Sequence, residues 1–144
     1  MKMTAHWICP RCVRPFGGPG QSHVCVPVRT LAEYYAARPA YEHDVYEAVL
    51  SHLRALGPVV VEPADVGLLV KGRRTFVEMR PRPARVELSV ILPHAVTHPR
   101  VRRSMGVGAA GNVALFIDLR APSDVDDDVR AWLTESFTAF AAVS

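Results

Sequence analysis

The spacing of apolar residues changes twice along the chain. From residue 59 to residue 119, apolar and polar positions alternate with a period of two and β-branched residues dominate, as in strands with one buried face. This pattern predicts strands over 59–62, 66–70, 75–80, 85–92, 101–105 and 112–119. The links 71–74 and 81–84 are short enough for hairpins, so neighbouring strands should pair antiparallel. Ahead of this region, the Thr30 and Glu33 spacing allows a capping box before a short helix over 31–36. After Pro39, the residues Val45, Val49, Leu53 and Leu56 recur at helical spacing and stop at Gly57 and Pro58. Beyond the strands, Ser123 and the acids Asp124, Asp126 and Asp127 suit the positive pole of a helix start, with Val125, Val129, Trp132, Leu133, Phe137 and Phe140 as its buried stripe. The predicted fold class is α+β: an antiparallel β-sheet with helices packed on one face, plus a small N-terminal zinc-binding module. The module is expected over residues 1–28 and the α+β domain over 29–144.

Composition fits this outline. A chain of 144 residues with 49% hydrophobic content can bury one real core, which argues against disorder. No apolar run approaches the ~18 residues of a membrane span, and residues 1–7 lack the basic-then-apolar order of a secretion signal. A soluble cytoplasmic protein is expected, in a compartment that keeps thiols reduced and available to metal.

Four residues near the start then carry the clearest chemistry: Cys9, Cys12, His23 and Cys25. Cys-x2-Cys places two sulfurs on one tight turn, and His23 and Cys25, two apart in an extended segment, face the same side. The intervening Gly17, Gly18, Pro19 and Gly20 let the chain turn back. Three thiolates and one imidazole complete a tetrahedral structural zinc site with no position open to substrate. His6 is the second choice for the fourth ligand. A disulfide would want a secreted chain, and a redox Cys-x-x-Cys would want a helix starting at Cys12, which the pattern lacks. The second pair is also too short for the His-x3-5-His helix of a DNA-reading finger.

Charge adds a second candidate. The formal net charge of +3 is unevenly spread, with nine bases against Glu78 and Glu87 between residues 71 and 103. Three thiolates around zinc would lower that net charge by about one. Hairpin turns and alternate strand positions could gather Lys71, Arg73, Arg74, Arg80, Arg100, Arg102 and Arg103, with Arg82 and Arg85, into a phosphate-attracting face. The alternative is the solvated side of a one-sided sheet. Phe76, the one aromatic among these bases, is expected to point into the core.

Other chemistries fail on context. The letters Gly106-Val107-Gly108-Ala109-Ala110-Gly111 imitate a dinucleotide loop, but a strand follows instead of a helix, so a flexible hairpin loop is expected. Asp65 followed by Glu78-Met79-Arg80 imitates a nuclease site with Arg where a Lys of tunable pKa is needed. His94 and His98 flank a loop and read as solvated, with service to a pocket as the other option. The run from Asp124 to Asp128 is a helix start, not a metal site.

Cys9-Pro10-Arg11-Cys12, the closure Gln21-Ser22-His23-Val24-Cys25, the run Val66-Gly67-Leu68-Leu69-Val70-Lys71-Gly72-Arg73-Arg74-Thr75-Phe76 and His98-Pro99-Arg100 resemble the bacterial family catalogued as domain of unknown function 5655. The resemblance implies an uncharacterised bacterial protein and brings no established activity. Relatives of the domain beside nuclease-like domains lean it toward nucleic acid, and it would place any shared ligand-facing site at Lys71, Arg80 and Arg100. Three readings follow: a binding module for nucleic acid or another polyanion, a protein-interaction module, and a small enzyme with a pocket near Lys71, Arg80 and Arg100. The first is favoured, and a binding role over an enzyme.

Overall fold

The computed structural model describes residues 30–141 and, nearer the start, residues 7–8, 15–16, 18, 20 and 22. Cys9, Cys12, His23 and Cys25 lie outside the described residues. The chain divides into two compact units, residues 1–30 and 31–144. In the first, β1 (Trp7–Ile8) pairs antiparallel with β2 (Pro15–Phe16), Trp7 opposite Phe16 and Ile8 opposite Pro15.

The second unit opens with α1 (Leu31–Ala36) and α2 (Ala40–Leu56). Val45, Tyr46, Val49, Leu50 and Leu53 form the stripe that buries α2, each with 0% exposure. Leu56, read as part of that stripe, is exposed at the helix end instead. Glu42 lies on the same stripe and is buried, so its charge needs partners. Arg38 supplies them, donating from Nε and Nη2 at 2.8 and 2.7 Å. The Tyr46 hydroxyl donates to Glu42 at 3.2 Å and lies 2.9 Å from the Tyr34 hydroxyl, tying α1 to α2. Burial, then the Tyr34 contact, pushes the Tyr46 phenol well above its ordinary range.

Six strands follow: β3 (Val60–Ala64), β4 (Gly67–Lys71), β5 (Thr75–Arg82), β6 (Arg85–Leu92), β7 (Arg103–Val107) and β8 (Asn112–Leu119). They form one sheet in the order β3-β4-β5-β6-β8-β7, antiparallel throughout. The first four make a meander; then β7 goes to the edge and β8 returns between it and β6. Alternation places Val86, Leu88, Val90 and Leu92 of β6 with Leu115, Ile117 and Leu119 of β8 on one face, all at 0% exposure. The helices cover that face. Gly67 opens β4 with φ of +142°, where a Cβ would sit 2.0 Å from the Met79 carbonyl oxygen. Only glycine fits so close an approach.

A bulge interrupts the pairing of β4 with β5. Val70 faces Val77 and Lys71 faces Thr75, leaving Phe76 as the extra residue. Phe76 and Val77 are consequently both buried, with the Phe76 ring edge-on to Phe137 at 6.4 Å between centroids. The strand's alternation is thereby shifted by one, which brings Thr75 onto the same face as Glu78.

A 3-10 turn (Pro122–Asp124) leads into α3 (Asp127–Phe140). Asp126 caps the helix, accepting from the Val129 N–H at 3.0 Å. That bond, followed by the nearby Arg100 charge, holds the Asp126 carboxyl below its ordinary value. Val125, Val129, Trp132, Leu133 and Phe140 are buried and Phe137 partly so, the stripe expected from the spacing. Among the described residues, no helix is long and apolar enough to cross a membrane.

Candidate functional site

The cross-strand registers define rows of side chains on the face opposite the helices. One row spans all six strands: Glu62, Leu69, Glu78, Ser89, Phe116 and Arg103. On one side of it runs an apolar row of Ile91, Ala114 and Met105, and on the other a charged row of Arg80, Glu87 and Asp118. Over the middle of these rows lies an open groove of about 500 Å³. Ile91, Ala114, Phe116, Met105 and Val107 give it an apolar floor, while Arg74, Thr75, Glu78, Arg80 and Ser89 add polar groups.

The bases expected to gather on one face separate into three groups. Five of the nine pair with four strand acids. Lys71 pairs with Glu62 at 3.0 Å, Arg80 with Glu78 at 3.1 Å, Arg82 with Glu87 at 3.2 Å, and Asp118 receives Arg85 at 3.1 Å and Arg102 at 3.2 Å. The more exposed pairs, Lys71 with Glu62 and Arg80 with Glu78, contribute little to stability, about 0–1 kcal/mol each. They do set the local potential, because each acid cancels a base that the sequence alone leaves uncompensated. Glu87 and Asp118 are the least exposed of these partners, with side chains 8% and 12% exposed.

A second group braces α3. Arg100 donates to the Asp126 carboxylate at 2.6 Å and to the Asp124 carbonyl at 3.0 Å, holding the helix start. Arg73 caps the other end, its side chain donating to the Ala139 carbonyl at 2.6 Å and its backbone N–H to the Phe140 carbonyl at 3.0 Å. The last group is Arg74 and Arg103, which have no carboxylate partner among the described residues. Arg74 lies 5.7 Å from the Phe140 ring centroid and lines the groove. Arg103 sits 3.7 Å from the centroid of Phe116, its cross-strand partner. Of Lys71, Arg80 and Arg100, Arg80 lines the groove and the other two do not.

The remaining candidates serve structure. His98 contacts Asp128 at 3.1 Å and meets the Trp132 ring edge-on, while His94 contacts Glu135 at 2.5 Å, so both fasten the loop after β6 to α3. The His94 ring also bonds the Ala95 carbonyl at 3.0 Å; that contact first and Glu135 second raise its pKa. Residues 108–111 form the β7–β8 turn, with Gly108 and Gly111 at φ of +68° and +85°. Among the described residues, no group of three or more His, Cys, Asp or Glu could hold a metal ion.

Phe116 and Met105 were not singled out in the sequence. They reach the groove because β8 returns between β6 and β7, an order that alternation does not encode. Ser89 joins them through the β6–β8 register.

These features define a small α+β domain with one helix-covered sheet face and one grooved face that no helix among the described residues covers. Residues 31–139 match a family described as a domain of unknown function (DUF5655), and the chain belongs to that family. No curated protein and no solved structure matches the chain.

Proposed function

We propose that the α+β domain is a binding module that takes nucleic acid or another polyanion on the open face of its sheet. The observation that carries this reading is the pair of arginines that, among the described residues, neither pair with a carboxylate nor brace α3: Arg74, which lines the groove, and Arg103, on the edge strand β7 beside it. They add positive charge to a surface whose other bases are mostly paired with acids. Arg102 and Arg80 stand beside them, and a phosphate could draw either from its carboxylate at modest cost. The test is binding of a fluorescent 20-nucleotide strand at two salt concentrations. With two or three phosphate contacts, affinity should fall about tenfold between 50 and 200 mM salt. The double variant Arg74→Ala/Arg103→Ala should remove most of that dependence. Absent or salt-insensitive binding refutes the reading.

For the N-terminal module the proposal is one structural zinc held by Cys9, Cys12, His23 and Cys25. The pairing of β1 with β2 supports it, because Cys9 and Cys12 both fall in the link that joins those two strands. Such a small segment has little core of its own, and bound metal would supply its folding energy. Elemental analysis should find one zinc per chain, and Cys12→Ser should lose it. Unchanged stoichiometry in that variant refutes the ligand set.

A further inference from the structure

Arg103 and Phe116 make a platform as well as a charge. At 3.7 Å from the ring centroid, the guanidinium carbon is in van der Waals contact with the aromatic face. Phe116 lines the groove and is 9% exposed, while Arg103, exposed on the edge strand, covers its ring beside the groove. A planar cation backed by an aromatic ring is a stacking surface for another flat π-system, and nucleobases stack on Arg planes as they do on aromatic rings. The surroundings suit a base. Ile91, Ala114 and Met105 flank the platform with apolar surface on one side. Ser89 and Glu78 continue the same cross-sheet row beyond Phe116, adding a hydroxyl and a carboxylate to the groove beside the platform. The groove's volume of about 500 Å³ falls in the range of small-molecule sites. Two other side-chain clusters among the described residues are already engaged: Arg38 and Tyr46 bond Glu42, Tyr34 meets Tyr46, and His94 and His98 are held by α3.

We infer that the open face takes an unpaired nucleobase, stacked on the Arg103 guanidinium where it covers Phe116 at the edge of the groove. The domain therefore selects single-stranded nucleic acid over duplex, whose bases are stacked on one another and cannot reach the platform. This rests on the polyanion reading and narrows it from any phosphate chain to one with accessible bases.

The experiment uses the full chain and three fluorescent probes of equal strand length: a mixed-sequence single-stranded DNA 12-mer, its abasic counterpart with the same phosphates, and the duplex. The base-bearing strand should bind at least about tenfold tighter than the abasic strand and tighter than the duplex. Arg103→Lys keeps the charge and removes the plane; it should bring the base-bearing strand down to the abasic level while leaving abasic binding unchanged. Because Arg103 is exposed on an edge strand, the fold should survive, which circular dichroism checks. Equal affinity for base-bearing and abasic strands overturns the stacking inference while the polyanion reading stands. Tighter binding to duplex overturns it likewise, and no binding to any probe overturns both.

Discussion

On β6, Val86, Leu88, Val90 and Leu92 are sealed beneath the helices, while Arg85, Glu87, Ser89 and Ile91 of the same strand build the opposite face. The two sets differ by one position in the alternation, yet they answer to different physics. The helix side is mostly hydrocarbon, where each fully buried aliphatic side chain contributes on the order of 1.5–3 kcal/mol. The open side is a lattice of opposite charges around a small apolar and aromatic floor, and its ion pairs contribute little. Stability and surface chemistry are thus carried by separate faces of the same strands. Substitutions can address one without the other.

The sharpest separation should come from neighbours. Leu88→Ala leaves a cavity in the covered face and should cost about 2–5 kcal/mol in urea denaturation, whereas Ser89→Ala, one residue along, should cost under about 0.5 kcal/mol. Equal costs would dissolve the distinction between the faces. Next in size is Asp126→Ala, which removes the cap of α3 and the carboxylate held by Arg100; a loss of about 1–2 kcal/mol is expected in the same measurement. That variant also reports pH. Because the folded Asp126 pKa is lowered, its stabilisation is present above the unfolded value of about 3.9 and lost as pH falls through the folded one, so the variant should show less acid-dependent loss than the parent.

A smaller change should blur the comparison from the open side. Asp118→Asn takes the carboxylate from Arg85 and Arg102, and from Arg120 at 3.9 Å, leaving those bases without its charge. Affinity for a single strand should rise several-fold at low salt, with stability changed by less than about 1 kcal/mol. Unchanged or weaker binding would mean that the charge lattice does not govern that surface. The smallest effect is the His94 clasp. Its pKa is raised above 6.5, so the contribution is present below that value and lost as pH rises through the folded pKa. An NMR titration should place the His94 midpoint above 6.5, and Glu135→Gln should return it only in part, since the Ala95 carbonyl remains.

Much of the fold was legible because its signals are local. The apolar spacing of α2 and α3, the glycines of the β7–β8 turn and the acids at the start of α3 each act over a few residues. The last strand pair was harder to place: β7 was expected over 101–105 and runs over Arg103–Val107, because the glycine that reads as a loop residue, Gly106, still pairs with Val113. Sheet order lay beyond periodicity. So did the pairing of bases with acids, since Arg85 and Asp118 are 33 residues apart and meet only through the β6–β8 register. Arg100 illustrates the limit on the candidate site: one of a basic cluster by sequence, it is a helix brace by position.

The return of β8 between β6 and β7 has a consequence for synthesis. A ribosome that has released residues up to 92 has delivered the meander β3 to β6 but not the strand that covers β6. Until residues 112–119 emerge, β6 is an edge carrying Leu88, Val90 and Ile91, the kind of exposed apolar strand that recruits other chains. A chain that stalls in the loop or in β7 should therefore be more prone to aggregate than one that has completed β8.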